Sequence, residues 1–472
     1  MALAGASGHI GQEVLRALAM RHDVVALTRS PARARVGDPE LPVRWRHCDF
    51  LARSDLAAAL TGVRFLVYLV HARLPSARLD QLRSDDLDLL LADTFAGAAA
   101  HHGVEQIVCL QGPRRCDGSR SADRGPRGDV VEALAAHGVP VTVLHAGLIV
   151  APGGTMLRLL RDTVVRLPLV PVPGWASHRR QPIAATDVAR AVDYCLGNTA
   201  THHGRFSIGG PELMDVPQLL SRVAEAFGRR PRIVTLRSLP APLYAIALRC
   251  VSPASHPALV RAFVDDLSCD SIADDNPVQR FLQQPPATPL RDALGAGATA
   301  PVRDREALRR TLRREDDAWL RKARTVRSIQ RYRCPPDRNA RWLAETYFRW
   351  LSRLLRPFVV CETDPDEGSV SIMLRFPRLR LLELSLAPDH SGPDRRLYFI
   401  TGGVLAARRP GSRGRMEFRD VAHGRYTIVA IHDYEPLLPW NLYHLTQAVA
   451  HGLVMRAFRR RVEGRRAAEL ES

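Results

Sequence analysis

The chain of 472 residues is 46% hydrophobic and 25% charged, and its formal net charge is +18. This composition excludes a disordered or collagen-like chain and predicts about three domains with sizeable cores. The basic runs Arg303–Arg333 and RAFRRRVEGRR, which begins at Arg456, contain no aromatic-interleaved or helix-turn-helix pattern, so nucleic acid is not an expected partner.

Cysteine usage and hydropathy indicate the compartment. The eight cysteines are scattered without a C-x-x-C pair, which predicts reduced thiols and no disulfide, zinc or other metal framework. There is no cleavable signal at the N-terminus, and no apolar run reaches the roughly 18 residues that a membrane-spanning helix requires. We expect a cytoplasmic protein, with peripheral contact at the inner face of the membrane as a further hypothesis.

The first stretch, MALAGASGHIG, joins a short apolar strand, Met1–Ala4, to a helix pattern over Gln12–Met20. Its glycines permit a tight turn, close approach of backbone N–H groups to phosphates, and close helix–strand contact. The pattern predicts a dinucleotide site whose cofactor-binding residues are Gly5, Ser7, Gly8, His9, Ile10 and Gly11. Because the strand is short, we also hypothesise that the true N-terminus lies upstream of Met1.

Residues 1 to 150 alternate short apolar strands with helix patterns, which is typical of an α/β fold with a Rossmann-like doubly wound parallel sheet. Right-handed crossovers place the carboxyl ends of the strands on one side, where the ligand crevice is expected. The predicted strands are Met1–Ala4, Val24–Leu27, Val43–Trp45, Phe65–Val70, Gln106–Leu110 and Val141–Leu144, and the predicted helices include Ala57–Leu60, Leu87–His101 and Val130–His137.

Residues after the second and third strands bear on cofactor choice. Arg29 and Ser30 stand where NAD-preferring proteins usually have an acid; they suit a 2′-phosphate and predict NADP(H) rather than NAD(H). The alternative is that Arg29 is an ordinary surface arginine in an Arg-rich chain. Asp49, followed by Phe50, either accepts a hydrogen bond from the adenine amino group or caps a turn or helix.

Other strand ends supply further candidate cofactor contacts. Val70 and His71 follow the fourth strand and are expected near the nicotinamide ribose, although a hydrogen-bonded strand-end histidine is the simpler reading of His71. Gln111 follows the fifth strand, and the guanidinium of Arg127 can hydrogen-bond a ribose.

Residues 1–290 are predicted as one Rossmann domain whose substrate-side lobe covers about 151–290, followed by a charged bridge at 291–333. Arg179 and Arg180 either bind an anionic group or pair with nearby acids. His145 ends the sixth strand and is alternatively hydrogen-bonded to a loop carbonyl. The candidate substrate-side residues are His145, Trp175, Arg179 and Arg180.

Residues 334–462 are predicted as a C-terminal α+β domain of the helix-grip type, with 463–472 as a tail. Its helices cover Asn339–Leu355 and Pro439–Phe458. A curled sheet around the final helix predicts a cavity for an apolar small molecule. That helix is either interfacial or cavity-lining, or a core helix with a solvated tail. The predicted strands are Val370–Phe376, Leu381–Leu386, Arg396–Ile400, Gly414–Phe418 and Tyr426–Asp433.

Several stretches carry a family resemblance. They are GASGHIGQEVLRAL, GVPVTVLHAGLIVAPGG, MLRLLRDTVVRLPLVPVPGW, RRQPIAATDVARAV and FSIGGPELM, with RSIQRYRCPPDRNARWLAETYFRWLSRLLRPF and the last helix as looser matches. The chain resembles atypical short-chain dehydrogenase/reductases of the NmrA-like type, paired with a C-terminal DUF2867-type domain. The resemblance implies a Rossmann fold and NAD(P)(H) binding, and some NmrA-like proteins use the nucleotide for regulation.

The usual reaction centre of that superfamily, a Ser and Tyr-x-x-x-Lys, does not match. Leu110, Gln111 and Gly112 occupy the Ser region, the Tyr and Lys positions fall near Asp123 and Arg127, and Lys322 is the chain's one lysine. We expect an NAD(P)(H)-binding protein that lacks the Tyr/Lys pair and senses its cofactor or uses it structurally. The alternative is an active NADPH-dependent oxidoreductase with an apolar or lipid-like substrate.

Overall fold

A computed structural model describes residues 1–38, 40–41, 43–71, 79–113, 126–253, 255–295, 300–364, 368–407 and 414–470. The chain forms two compact units. Unit 1 comprises Met1–Arg73 and Thr94–Asp316, and unit 2 comprises Leu74–Asp93 and Asp317–Ser472. Two of the three boundaries between the units, at 93/94 and 316/317, fall inside the helices α4 and α13.

The strands are β1 Ala2–Ala4, β2 Val25–Thr28, β3 Arg44–His47, β4 Phe65–Tyr68, β5 Leu79–Leu82, β6 Gln106–Gln111, β7 Val141–Ala146, β8 Ile149–Val150, β9 Leu169–Pro173, β10 Ile183–Ala184, β11 Arg205–Ile208, β12 Arg232–Leu236, β13 Val326–Tyr332, β14 Val359–Asp364, β15 Ser369–Leu374, β16 Leu379–Leu386, β17 Arg395–Gly402, β18 Arg415–Val421 and β19 Tyr426–Tyr434. The helices are α1 His9–Ala19, α2 Pro31–Val36, α3 Arg53–Leu60, α4 Ser84–His101, α5 Pro126–Ala135, α6 Thr155–Arg166, α7 Ala185–Cys195, α8 Val216–Ala226, α9 Ala241–Val251, α10 Pro257–Asp266, α11 Pro277–Leu282, α12 Leu290–Gly295, α13 Ala300–Lys322, α14 Ala340–Leu354, α15 Trp440–Leu445 and α16 Gln447–Leu470.

Unit 1 contains a parallel sheet of seven strands in the order β11-β7-β6-β4-β1-β2-β3. Strand β1 lies between β4 and β2, with Ala2 opposite Leu66 and Val25. Because β1 is central, it is buried on both faces, and its short run of apolar residues suffices for a strand. The predicted Rossmann-like fold is confirmed, and the strand order reverses beside β1, where a ligand crevice is expected.

A second apolar core in unit 1 belongs to the lobe that follows β7. Leu159 of α6, Val170 of β9 and Leu219 of α8 are buried in it, and Val260 of α10 closes it. The lobe also contains two short two-stranded parallel sheets, β8 with β10 and β9 with β12.

Unit 2 has an eight-stranded sheet in the order β14-β15-β16-β17-β18-β19-β13-β5. All neighbours are antiparallel except β5, which pairs parallel with β13. Helices α14 and α16 share one apolar core with this sheet, in which Tyr347, Phe418 and Phe458 lie within ring-contact distance. The predicted C-terminal α+β architecture is confirmed as a mixed sheet with helices.

The stretch 291–333, predicted as a charged and partly helical bridge, contains α13, strand β13 and all but the first residue of α12. Two stretches nearer the C-terminus differ from the prediction. The helix predicted at Pro439–Phe458 is two helices, α15 and α16, interrupted at Thr446. Residues 463–470 of the predicted tail continue α16, because Phe458 and Val462, one turn apart, are both buried and hold the helix on its core.

No helix in the described residues is both long and apolar enough to cross a membrane.

Candidate functional site

The glycine loop connects β1 to α1 at the carboxyl edge of the unit 1 sheet. Gly5 has φ +92°, and a Cβ there would stand 2.7 Å from the Leu69 carbonyl oxygen. A Cβ on Gly11 would stand 2.1 Å from the Gly5 carbonyl oxygen, which accepts a hydrogen bond from the Gly8 N–H at 3.0 Å. Gly5 and Gly11 are therefore sterically required, and the loop has the compact form that presents backbone N–H groups to a phosphate.

Helix α1 begins at His9 with Gly8 as its N-cap, and no side chain of the described residues caps its first turn. The amides of that turn thus lie at the positive end of the helix dipole without a side-chain acceptor, which is the arrangement that suits a phosphate. Ser7, His9 and Ile10 are half-buried around this helix start.

Helix α13 brings a carboxylate to the glycine loop. Glu306 accepts from Arg158 Nη2 at 2.8 Å, and its Oε2 stands 4.0 Å from His9 Nδ1. Gly153, in the loop before α6, packs against both side chains. A Cβ on Gly153 would be 3.0 Å from Glu306 Oε2 and 3.6 Å from His9 Cε1. An acid that is distant in sequence therefore lies beside the amino end of α1.

Arginines outnumber this carboxylate. Burial, followed by the positive charges of Arg309, Arg158 and Arg313, lowers the pKa of His9 to about 3, so the imidazole is neutral and its contact with Glu306 is not an ion pair. Burial also lowers the pKa of Arg309 to about 10, against the attraction of Glu306. The Nη1 atom of Arg309 is buried and has no hydrogen-bond partner among the described residues. Positive charge in excess of negative charge is what an anion site requires.

A second residue of α13 reaches the loop after β2. Ser30 caps α2, where its Oγ accepts from the Arg33 backbone N–H at 2.9 Å, and the same hydroxyl donates to Asp316 Oδ1 at 2.8 Å. The position predicted to face a 2′-phosphate is therefore in contact with a carboxylate, which suits ribose hydroxyls better than a phosphate. Arg29 is half-buried next to it.

The next two strand ends are occupied mainly by structural contacts. Asp49 Oδ1 accepts from the Leu51 backbone N–H at 3.1 Å, as the turn alternative predicts. Phe50 is buried, with its ring centroid 5.0 Å from that of Phe95.

After β4, Val70 is buried and His71 is exposed. Gln111 at the end of β6 is buried, and its Nε2 lies 3.3 Å from Cys109 Sγ. These residues line the carboxyl edge of the sheet, as the predicted topology requires.

Arg127 of α5 is engaged by its own unit. Its guanidinium donates to the Pro113 carbonyl oxygen at 2.9 Å and to Asp266 Oδ1 at 3.0 Å. It also packs on Gly112, where a Cβ would be 2.8 Å from the Arg127 Cζ atom. His145 Nδ1 donates to the Gly112 carbonyl at 3.1 Å, as the loop-carbonyl alternative predicts.

Two of the four substrate-side candidates, Trp175 and Arg179, are held by nearby groups. Trp175 Nε1 donates to the Leu239 carbonyl oxygen at 2.7 Å within the lobe. Arg179 is exposed and forms an ion pair with Asp270 at 3.6 Å, which is the acid-pairing alternative.

Arg180 is 4% exposed and donates to the carbonyl oxygens of Asp266 at 2.7 Å and Cys269 at 3.2 Å. It thus orients the same segment whose Asp266 carboxylate binds Arg127. Asp123, near which the Tyr position of the superfamily falls, lies outside the described residues.

The comparison with protein families bears on this edge of the sheet. Residues 5–145 match the model of a family described as NAD(P)H-binding. The part of this range that belongs to unit 1, residues 5–73 and 94–145, is an NAD(P)H-binding domain. The matched range begins at the first glycine of the loop and ends with His145, so it covers β2 to β7 and the crevice described above.

Similar proteins extend the comparison. Auxiliary protein GraX of Staphylococcus aureus is 27% identical over 139 residues, which are 29% of this chain and 41% of that protein. The match therefore spans less than half of the relative's length.

Among solved structures, a nucleoside-diphosphate-sugar epimerase from Staphylococcus aureus is 17% identical with a TM-score of 0.48, over 62% of this chain and 99% of that chain. The NADPH-dependent quinone oxidoreductase QOR2 from Escherichia coli, complexed with NADPH, is 18% identical with a TM-score of 0.47, over 62% and 98%. The triphenylmethane reductase of Citrobacter sp., complexed with NADP(H), is 16% identical with a TM-score of 0.48, over 63% and 99%. At this similarity no substrate or reaction transfers to the chain.

Sequence reasoning missed the residues that α13 and α10 bring to the NAD(P)H-binding domain. Glu306, Arg309 and Asp316 lie in a stretch predicted as a charged, partly helical bridge with no role at the site, and Asp266 ends a helix of the lobe. The signal that could have indicated a packed face of α13 is its amphipathic spacing. In the structure Leu312 is buried and its two sequence neighbours are exposed.

Proposed function

We propose that the NAD(P)H-binding domain holds NADP(H) and that the protein senses this dinucleotide or uses it structurally. The observation that carries the proposal is the uncapped start of α1 beside a cluster of arginines in which Arg309 Nη1 is buried and unsatisfied. The described residues thus fit a group with several negative charges, since backbone amides and guanidinium groups are the usual phosphate ligands.

The pyrophosphate would be held by the amides of His9 and Ile10, and the adenosine end would lie toward Arg29 and Ser30. Arg29, next to Ser30, supports NADP(H) over NAD(H), because a guanidinium suits a 2′-phosphate. The carboxylate of Asp316, which contacts Ser30, would repel a 2′-phosphate at this position. We therefore propose that the choice between NADP(H) and NAD(H) depends on Asp316.

When bound, the nicotinamide ring supplies hydride-transfer chemistry, which needs a partner acid or base in the protein. We infer that the Tyr/Lys pair is missing, and Arg127, near the expected Lys position, is paired with Asp266. Both facts support sensing or a structural use in a protein of the NmrA-like type. The competing proposal is an oxidoreductase with an apolar or lipid-like substrate.

Titration of the purified full chain with NADPH, followed by nicotinamide fluorescence, tests the proposal. We expect saturable binding and no oxidation of bound NADPH when a panel of quinones, aldehydes and lipid-like enones is added. Steady oxidation that a Gly8→Trp variant abolishes would establish the oxidoreductase instead. Absence of any NADPH binding would remove both proposals.

For unit 2 we propose a DUF2867-type domain that takes an apolar small molecule, in a cytoplasmic protein with peripheral membrane contact. The support is the mixed sheet, whose apolar core is shared with α14 and α16 and is compatible with a helix-grip arrangement. Mass spectrometry of organic extracts from the purified chain tests it, with a stoichiometric apolar compound as the expected result.

A further inference from the structure

One end of the unit 2 sheet gathers exposed apolar side chains. Strand register places the starts of β14, β16 and β18 at the same end as the last residues of β15, β17 and β19. The segments that leave the sheet at this end carry the exposed residues Phe358, Phe376, Leu379, Leu437, Leu442 and Leu445. We call this surface the apolar–basic end.

The exposure of these side chains is large. Phe376 is 82% exposed, Leu445 is 78% exposed and Phe358 is 71% exposed. Phe358 and Phe376 are neighbours, because the Arg375 backbone N–H donates to the Phe358 carbonyl oxygen at 2.7 Å. A folded chain seldom leaves two adjacent phenylalanines and several leucines in water at one end, and such a patch usually marks an interaction surface.

Basic residues surround the two phenylalanines. Arg353, Arg356, Arg375 and Arg378 are exposed, and within the described residues none of the four forms an ion pair. Glu383, on the neighbouring strand β16, is paired with Arg380 at 2.6 Å. The partner of this end is therefore expected to be negatively charged as well as apolar.

We propose that the apolar–basic end of unit 2 docks on an anionic membrane surface, with Phe358 and Phe376 inserted among the lipid headgroups and the arginines on lipid phosphates. Segments that bind at a membrane interface commonly combine phenylalanine or leucine with arginine. The free energy of burying the apolar side chains then adds to the attraction between arginine and anionic headgroups. A single-stranded nucleic acid is the other polyanion that arginine and phenylalanine can bind, and the test below separates the two.

The test is flotation of the full chain with vesicles of phosphatidylcholine alone and vesicles that also contain phosphatidylglycerol. We expect binding to the anionic vesicles, weakened by salt and absent for phosphatidylcholine alone. The double variant Phe358→Ser/Phe376→Ser should reduce partitioning about tenfold, and Arg375→Gln/Arg378→Gln should reduce it about fivefold per arginine. The matched control Met20→Ser/Leu213→Ser removes exposed apolar residues from unit 1 and should bind like the wild type.

Insertion has its own readout. A tryptophan introduced as Phe376→Trp should be quenched by vesicles with brominated acyl chains, whereas one introduced as Met20→Trp should not. Circular dichroism melting and NADPH titration of each variant verify that the fold and unit 1 are intact. The proposal is overturned if anionic vesicles do not bind the wild type. It is also overturned if the double variant Phe358→Ser/Phe376→Ser floats with the vesicles as the wild type does. It is equally overturned if only single-stranded oligonucleotides are bound.

Discussion

Nη2 of Arg127 lies 3.0 Å from Oδ1 of Asp266, a partner 139 residues further along the chain. The two side chains are 34% and 31% exposed, so solvent screens the pair and its contribution is expected to be modest, about 0.5–1 kcal/mol. This contact gives Arg127 a structural role in unit 1, and the proposed dinucleotide site then rests on the glycine loop and α13.

The first prediction concerns that pair. Arg127→Gln and Asp266→Asn should each lower the free energy of unfolding, with a coupling of about 0.5–1 kcal/mol in a double-mutant cycle, and should change the NADPH dissociation constant little. Denaturant titration and calorimetry measure the two quantities, with the exposed Arg230→Gln as control. A roughly tenfold loss of NADPH affinity in Arg127→Gln alone would make Arg127 a cofactor ligand.

The second prediction concerns cofactor choice. Asp316→Asn removes the carboxylate that contacts Ser30, so it should raise the affinity for NADPH relative to NADH about fivefold, as loss of about 1 kcal/mol of repulsion implies. Asp317→Asn makes the same charge change one position further along α13 and should leave the ratio unchanged. Equal ratios in both variants would show that the adenosine 2′ position lies elsewhere.

The third prediction concerns pH. His9 has a folded pKa of about 3 against an ordinary value of 6.5, because burial and the nearby arginines disfavour the imidazolium. As pH falls below 6.5 the unfolded chain takes up a proton that folded His9 does not, so this residue costs stability, at most about 1.4 kcal/mol per pH unit. His9→Phe should therefore flatten the fall in unfolding free energy between about pH 6.5 and pH 5. A variant with the same slope as the wild type would contradict this assignment.

The fourth prediction concerns unit 2. Glu417 is buried between Arg395 at 2.6 Å and His432 at 3.3 Å, and these partners hold the pKa of its carboxyl well below the ordinary value despite burial. Its stabilising effect is therefore present at neutral pH and is lost as pH falls through the acid range. Glu417→Gln should lower the free energy of unfolding at neutral pH by about 3–5 kcal/mol.

The exposed Glu362→Gln is the matched control for Glu417→Gln, and urea titration measures both. If Glu417→Gln lowers the free energy of unfolding by less than about 1 kcal/mol, the Glu417 charge is not required to compensate Arg395 and His432, and the prediction is wrong.

The sheet of unit 1 was predictable because its strands are buried on both faces. β4, β6 and β7 consist of apolar runs, and their predicted bounds differ from the observed ones by at most two residues. The glycine loop was predictable for a similar reason, since Gly5 and Gly11 are required sterically whatever the rest of the chain does.

Strand β13 was not predictable, because its charged residues are buried. Arg327 is 5% exposed and pairs with Asp433, and Arg331 pairs with Asp86, so the sequence VRSIQRY hides its apolar alternation. The contacts of Glu306 and Asp316 with the glycine-loop side of unit 1 depend on where α13 packs, which local pattern does not specify.

The central claim is that the amino end of α1 binds the phosphates of NADP(H), and one comparison at Gly8 tests it most directly. Aspartate is a preferred N-cap, so Gly8→Asp should cap the α1 amides with its own carboxylate and leave the melting temperature unchanged or higher, while placing a negative charge where the phosphates bind. Calorimetric titration with NADPH should show binding by the wild type, weaker binding by Gly8→Ala, whose Cβ would stand 3.2 Å from the Gly5 carbonyl oxygen, and none by Gly8→Asp. Wild-type affinity in a folded Gly8→Asp variant, or no heat of binding in the wild type, would contradict the claim.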